Sequence, residues 1–327
     1  LREAADEVGE MFEGKLWALV ALVMWCGVLG CKAPEAGSGA GSGGAPVVVV
    51  TTTMLEDLTR EIGGDAVVVR GLMRPGGDPH LYQPTPQDAA LVASSALVIT
   101  SGHGLEGWVD DLVRNAGGQR PVVVAGQGIE VIKAAGTETV DPHFWFDVKA
   151  WQVASDNVAG GLVQLAGADA ARVAGVKQRH AAVRARLAGL DGWAKAQLET
   201  IPKERRVLVT SHDAFHYFGR AYGLDVVGLQ GLSTEQQAGQ RDLVRVIERI
   251  KADGIPAVFI ETTVNPQLIA RVAAETGVQK LGPLYSDSLG AKDSPAATYE
   301  GMITENVRMI TQGLGGQYAP FKPAVAP

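Results

Sequence analysis

The chain predicts an α/β protein of two lobes, each a parallel four-stranded sheet flanked by helices, joined by a long backbone helix. Three observations carry that expectation. Eight short apolar runs fall into two sets of four. Helix-start signals separate the runs, and a helical stripe of roughly thirty residues lies between the sets.

The first segment stands outside the fold. From Met11 the chain reads Met11-Phe12-Glu13-Gly14-Lys15 and is then apolar over 16–29. A short positive start before an apolar run is the pattern of a secretory leader, and the run is short for a transmembrane helix. Residues 1–30 are therefore expected to be a signal peptide whose true start is Met11. The run ends in Val28-Leu29-Gly30-Cys31. That resembles the bacterial lipobox, in which a small residue precedes a cysteine that is cleaved and lipidated. Cys31 is thus the expected anchor. Residues 31–46, rich in Gly, Ser and Ala, form the expected lipidated flexible tether. No cysteine follows Cys31, so the mature domain has neither a disulfide nor a thiolate metal site.

The first lobe is expected over 47–167. Its apolar runs at 47–51, 66–72, 96–100 and 121–125 are short and β-branched, as buried parallel strands are. Thr85-Pro86 places a cap residue before a first-turn proline and opens a helix. The linking helix is expected over 168–200. There Val173, Val176, His180, Val183, Leu187 and Leu190 step by three and four along one face. At ~1.5 Å per residue it would be a rod about 45 Å long, able to join two lobes and restrict their motion. The alternative is two helices broken near Gly189 and Gly192. His180 lies inside the stripe and reads as packing. The second lobe, 201–327, repeats the pattern with runs at 207–210, 225–229, 257–261 and 279–284. Ser233-Thr234-Glu235-Gln236 reads as a capping box opening one helix, and Asn265-Pro266 opens another.

The chemistry sits at strand ends. Asp78-Pro79-His80 and Asp141-Pro142-His143 are matching tripeptides, and a proline before a histidine keeps that residue out of regular helix. A third histidine, His212, follows the run at 207–210, and Asp287 follows the run at 279–284. Three imidazoles and a carboxylate form a complete four-ligand set for a divalent metal. Ligands of open α/β sheets bind beyond the carboxyl ends of strands, so two donors from each lobe place the site in the cleft between them. Four protein donors leave no obligatory place for a reacting water, which favours carriage over catalysis. Glu261 ends a strand and reads either as support behind the site or as a partner of the Thr262-Thr263 turn. His216, four residues beyond His212, is spaced to pair with it on a metal but reads as a surface helix residue, and His103 reads as a loop residue. The net charge of -7 and the lack of a basic run exclude a nucleic-acid partner.

The motifs together resemble the metal-binding proteins of bacterial ABC importers for zinc and manganese. The matching stretches surround His80, His143 and Asp287, and include Thr210-Ser211-His212-Asp213-Ala214-Phe215-His216 and Ile260-Glu261-Thr262-Thr263-Val264-Asn265-Pro266. The resemblance implies two lobes on a backbone helix and zinc or manganese as cargo. It also implies delivery to a membrane permease driven by a cytoplasmic ATPase. The carrier is expected to be a monomer, lipid-anchored in the periplasm or on the outer face of the cytoplasmic membrane. Histidine at position 212 resembles zinc-binding and mixed members, whereas manganese members often carry Glu there. The His-rich loop of many dedicated zinc carriers is absent, since 128–140 contains no histidine. A metal-dependent hydrolase is the competing class, but no His-Glu-x-x-His motif or general base accompanies the donors. A surface adhesin is the third reading and would need an exposed partner patch.

Overall fold

Four consecutive valines form β1 (Val47–Val50). Val48 and Val50 pack on one side of the sheet and Val49 on the other. A strand covered on both faces needs apolar side chains at every position, hence the unbroken run. Its parallel partners are β2 (Val68–Gly71) and β3 (Leu97–Thr100), and β4 (Val122–Val124) forms an edge, giving the order β2-β1-β3-β4. The second lobe repeats this with β5 (Val207–His212), β6 (Asp225–Gln230), β7 (Ala257–Glu261) and β8 (Gln279–Leu284), in the order β6-β5-β7-β8. The expected class, two parallel four-stranded lobes, is the one observed in this computed structural model, which describes residues 44–134, 136–236 and 238–323. The leader, Cys31 and most of the tether lie outside the described residues.

Helices cover both faces. In the first lobe α1 (Thr53–Gly63) turns Met54, Leu55, Leu58 and Ile62 inward, and Thr52 caps it by accepting from the Leu55 N–H. At α2 (Pro86–Ser94) Thr85 and Asp88 cap reciprocally, as the Thr85-Pro86 signal predicts. With α3 (Val109–Asn115), α2 closes the outer face of the sheet, Val92 and Leu112 packing with Val49 and Val98. A further helix, α4 (Val148–Ala166), is capped by Asp147, which accepts from the N–H groups of Lys149 and Ala150.

The linking helix α5 (Ala170–Leu198) is continuous through Gly189 and Gly192, so the broken alternative does not occur. Its buried residues Val176, Val183, Leu187, Leu190, Ala194 and Leu198 lie against α4, α1 and the C-terminal α9 (Tyr299–Gly313). His180 is partly buried, with its Nε2 3.0 Å from Asp156 Oδ1. In the second lobe α6 (His216–Tyr222) follows β5, and α8 (Gln267–Thr276) follows Asn265-Pro266 as expected. The expected helix start at Ser233 is corrected. α7 (Gln240–Asp253) begins seven residues later, because Thr234 is drawn away to bond Asp78 in the other lobe.

One core runs through both lobes. Phe146 stacks on Phe215 with ring centroids 4.3 Å apart, and Trp151 on Tyr299 at 4.8 Å. The Asp57 carboxylate of α1 accepts from the Tyr299 N–H that starts α9, at 2.8 Å. No described helix is long and apolar enough to cross a membrane.

Candidate metal centre

Each Asp-Pro-His tripeptide folds as a turn closed by its own aspartate. Asp78 Oδ1 accepts from the His80 N–H at 2.8 Å, and Asp141 Oδ1 accepts from the His143 N–H at 2.9 Å. Aspartate favours this local bond, and the intervening proline fixes φ so that it closes. The second carboxylate does more. Asp141 Oδ1 also receives His143 Nδ1 at 2.7 Å, which leaves Nε2 free to face the cleft. From the second lobe, Tyr217 on α6 donates to the Asp141 carbonyl at 3.1 Å and fixes the loop's depth.

His212 is the last residue of β5, and Glu261 the last of the adjacent strand β7. Because Thr210 pairs with Phe259, the two strand ends lie side by side. Glu261 Oε1 accepts from the His212 N–H at 2.9 Å, and Oε2 approaches His212 Nδ1 to 2.5 Å, off the N–H axis, as an ion-pair contact. Glu261 therefore stands behind a donor, and the turn-partner reading is replaced by that contact. Asp287 follows β8. Its Oδ2 accepts from Thr263 Oγ1 at 3.1 Å, and Trp145 Nε1 donates to the preceding Ser286 carbonyl at 3.0 Å.

The donor atoms of His80, His143, His212 and Asp287 all lie within 4.8 Å of one another. His80 Nε2 is 3.3 Å from His143 Nε2, His143 Nε2 is 3.5 Å from Asp287 Oδ1, and His212 Nε2 is 3.4 Å from Asp287 Oδ2. A tetrahedron with metal–donor bonds of about 2.1 Å has edges of about 3.4 Å; these three contacts match that length, two of them through different oxygens of Asp287, and the full donor set spans up to 4.8 Å. His212 Nε2 and Asp287 Oδ1 are buried and have no hydrogen-bond partner. Buried polar atoms without partners are costly, and a cation between them would satisfy both.

Charge is arranged to match. Burial pushes the His80 imidazole down to about 4. Burial alone would also lower His212, but Glu261 and then Asp287 outweigh it and hold this imidazole well above its ordinary range. Burial would raise the Asp287 carboxyl, yet His212, His143 and His80 hold it well below the usual carboxylate range. Asp141 is likewise held down, to about 2, by His143 and His216 against the effect of burial. The donors alone would leave a bound dication with a net charge of about +1. Asp141 and Glu261, in contact with two of the imidazoles, add two negative charges that counting donors misses and take the local sum to about -1.

His216 is not among the donors. Its Nδ1 lies 3.2 Å from Asp141 Oδ2 and its Nε2 3.3 Å from Asp213 Oδ1, so the expected surface residue instead braces Asp141. The i+4 spacing from His212 hinted at proximity but pointed to the wrong partner. His103 occupies a left-handed turn (φ 56°) and bonds the Gly126 carbonyl at 2.9 Å, outside the cluster.

Comparison with known proteins places this geometry among relatives. The family described as ZnuA, zinc-uptake complex component A, periplasmic, matches residues 48–313. The manganese-binding lipoprotein MntA of Bacillus subtilis is 36% identical over 306 residues, covering 90% of this chain and 98% of its own length. The zinc-binding protein TroA of Treponema pallidum is 36% identical over 282 residues, covering 84% and 91%. The iron-binding protein YfeA of Yersinia pestis is 32% identical over 270 residues, covering 82% and 86%. A solved structure of the Treponema pallidum periplasmic zinc-binding protein TroA superposes with a TM-score of 0.78 at 35% identity, covering 83% of this chain and 99% of that one. The match spans both lobes and every donor of the cluster, and the chain belongs to the ZnuA family of periplasmic metal-binding proteins.

Proposed function

We propose that the chain is the extracytoplasmic solute-binding protein of a metal ABC importer. It takes up one divalent transition-metal ion, zinc or manganese, on His80, His143, His212 and Asp287 and delivers it to a permease driven by a cytoplasmic ATPase. The observation that carries this reading is the convergence of four donors from both lobes, two of them with buried unpaired atoms. Relatives named for manganese, zinc and iron support a cargo protein whose metal varies within one scaffold. Three imidazoles favour zinc over manganese by ligand softness and the Irving–Williams order. Four protein donors support carriage over hydrolysis, since no donor position is left to a reacting water. The leader 1–30 is removed, Cys31 carries the lipid, and the tether 31–46 lets the two-lobed body, a monomer, work close to its membrane.

Native mass spectrometry with elemental analysis, on protein prepared without chelators, tests the cargo reading. One zinc or manganese per chain is expected. Retention of full zinc affinity by both His80→Ala and His212→Ala would refute the ligand assignment. Cys31→Ser should move the protein from the membrane fraction to the soluble one; a variant that stayed on the membrane would refute the lipid anchor.

A further inference from the structure

His143, His212 and Asp287 have no exposed surface, and among the four donors only His80 reaches solvent. An ion entering this arrangement has to pass the His80 edge. That edge opens into a cavity of ≈ 420 Å³ whose lining includes Tyr82, Leu105, Trp108, Ser233 and Glu235. Its first-lobe wall is firm. The Tyr82 and Trp108 rings pack 4.8 Å apart, and Trp108 Nε1 donates to the Pro79 carbonyl at 3.0 Å. Its second-lobe wall is the segment in place of the expected helix start. There Thr234 Oγ1 donates to Asp78 Oδ2 at 2.6 Å, and the Glu235 N–H donates to Ser233 Oγ at 3.2 Å. These bonds hold an exposed carboxylate, Glu235, opposite the His80 loop, and it is the lone acidic side chain in the lining.

We propose that this mouth is the entry route and that Glu235 is a capture residue that draws a hydrated divalent cation to the His80 edge. The inference rests on the metal-binding reading of the inner site. A cation with six waters, at ~30 Å³ per water, occupies about 180 Å³, so the mouth admits it with its hydration shell intact. At that stage the attraction is one of charge, concentrated by a cleft with low-dielectric walls. Glu235 therefore acts on the association rate, and acts alike on zinc and manganese, because water still separates it from the ion. The inner donors discriminate between the metals afterwards.

Stopped-flow binding of zinc and of manganese to the full chain tests this, at low salt and at roughly 0.5 M salt, where the Debye length is only a few ångströms. Glu235→Gln should slow association by about two- to fivefold for both metals at low salt, high salt should close the gap, and dissociation should not accelerate. Glu199→Gln removes one charge at the far end of α5 and should associate like the parent. An unchanged association rate in Glu235→Gln would overturn the capture role. So would an effect confined to one metal, or an effect confined to faster dissociation. A parent chain that takes up no metal would instead overturn the proposed function itself.

Discussion

Binding should displace a proton from His212, and the size of that effect follows from the site. In the metal-free protein Glu261 and then Asp287 outweigh burial and hold the His212 imidazole well above its ordinary range, which favours its protonated form. A metal needs its Nε2 lone pair and must expel that proton. His80, held down to about 4, is already neutral and contributes nothing above about pH 5. The sign is then fixed. Affinity rises with pH as long as the solution stays below the raised pKa of His212, and falls on acidification. One displaced proton is worth about 1.4 kcal/mol, or tenfold in Kd, per pH unit, so affinity should fall by up to about tenfold for each unit of acidification below that raised pKa. From the reference imidazole value of ~6.5 alone, competition would set in only below about pH 6. Calorimetric titration at pH 7 in buffers of different ionisation enthalpy counts the protons directly, and about one per metal ion is expected. A count near zero, with Kd flat from pH 6 to 8, would refute the charge arrangement.

Glu261→Gln should weaken metal affinity by about 10- to 100-fold while leaving the fold intact, because it removes the carboxylate behind His212; equilibrium competition against a chromogenic chelator measures it. Thr234→Val removes the bond to Asp78, which also holds the His80 N–H, and at about 1.5 kcal/mol should speed metal dissociation roughly tenfold; chelator-chase kinetics would show it. His212→Glu should lower the zinc-to-manganese affinity ratio by about tenfold or more, since a hard oxygen replaces a softer nitrogen; paired competition titrations give the ratio, and an unchanged value would move the choice of metal to lobe geometry. Phe146→Ala empties a fully buried site stacked on Phe215 and should cost about 3–5 kcal/mol, read as a fall in Tm.

The four candidate donors are legible because each is marked locally. A proline sets off two histidines, and the other two donors end or follow apolar runs. Glu261 was legible as a strand end, but its partner was not, because side-by-side pairing of β5 with β7 depends on strand order. The brace from His216 to Asp141 joins residues 75 apart and has no local signature. The Ser233 stretch misled for a physical reason: the hydroxyl and carboxyl groups that suit a helix cap also suit a tertiary bond, and Asp78 supplied one. The two glycines of α5 suggested a break, yet Leu187, Leu190 and Ala194 are buried around them, and that packing outweighs propensity.

The core shared by the lobes bears on how the cargo leaves. Phe146 against Phe215 and Trp151 against Tyr299 resist a wide clamshell opening, and three of the candidate donors have no exposed surface. An ion held this way departs at a rate set by how often its enclosure loosens, whatever the strength of its bonds. The loaded protein is then a slow reservoir during diffusion, dropping little metal to stray chelators. Unloading then calls for an action on the carrier: whatever receives the ion has to displace the His80 edge before the ion can pass.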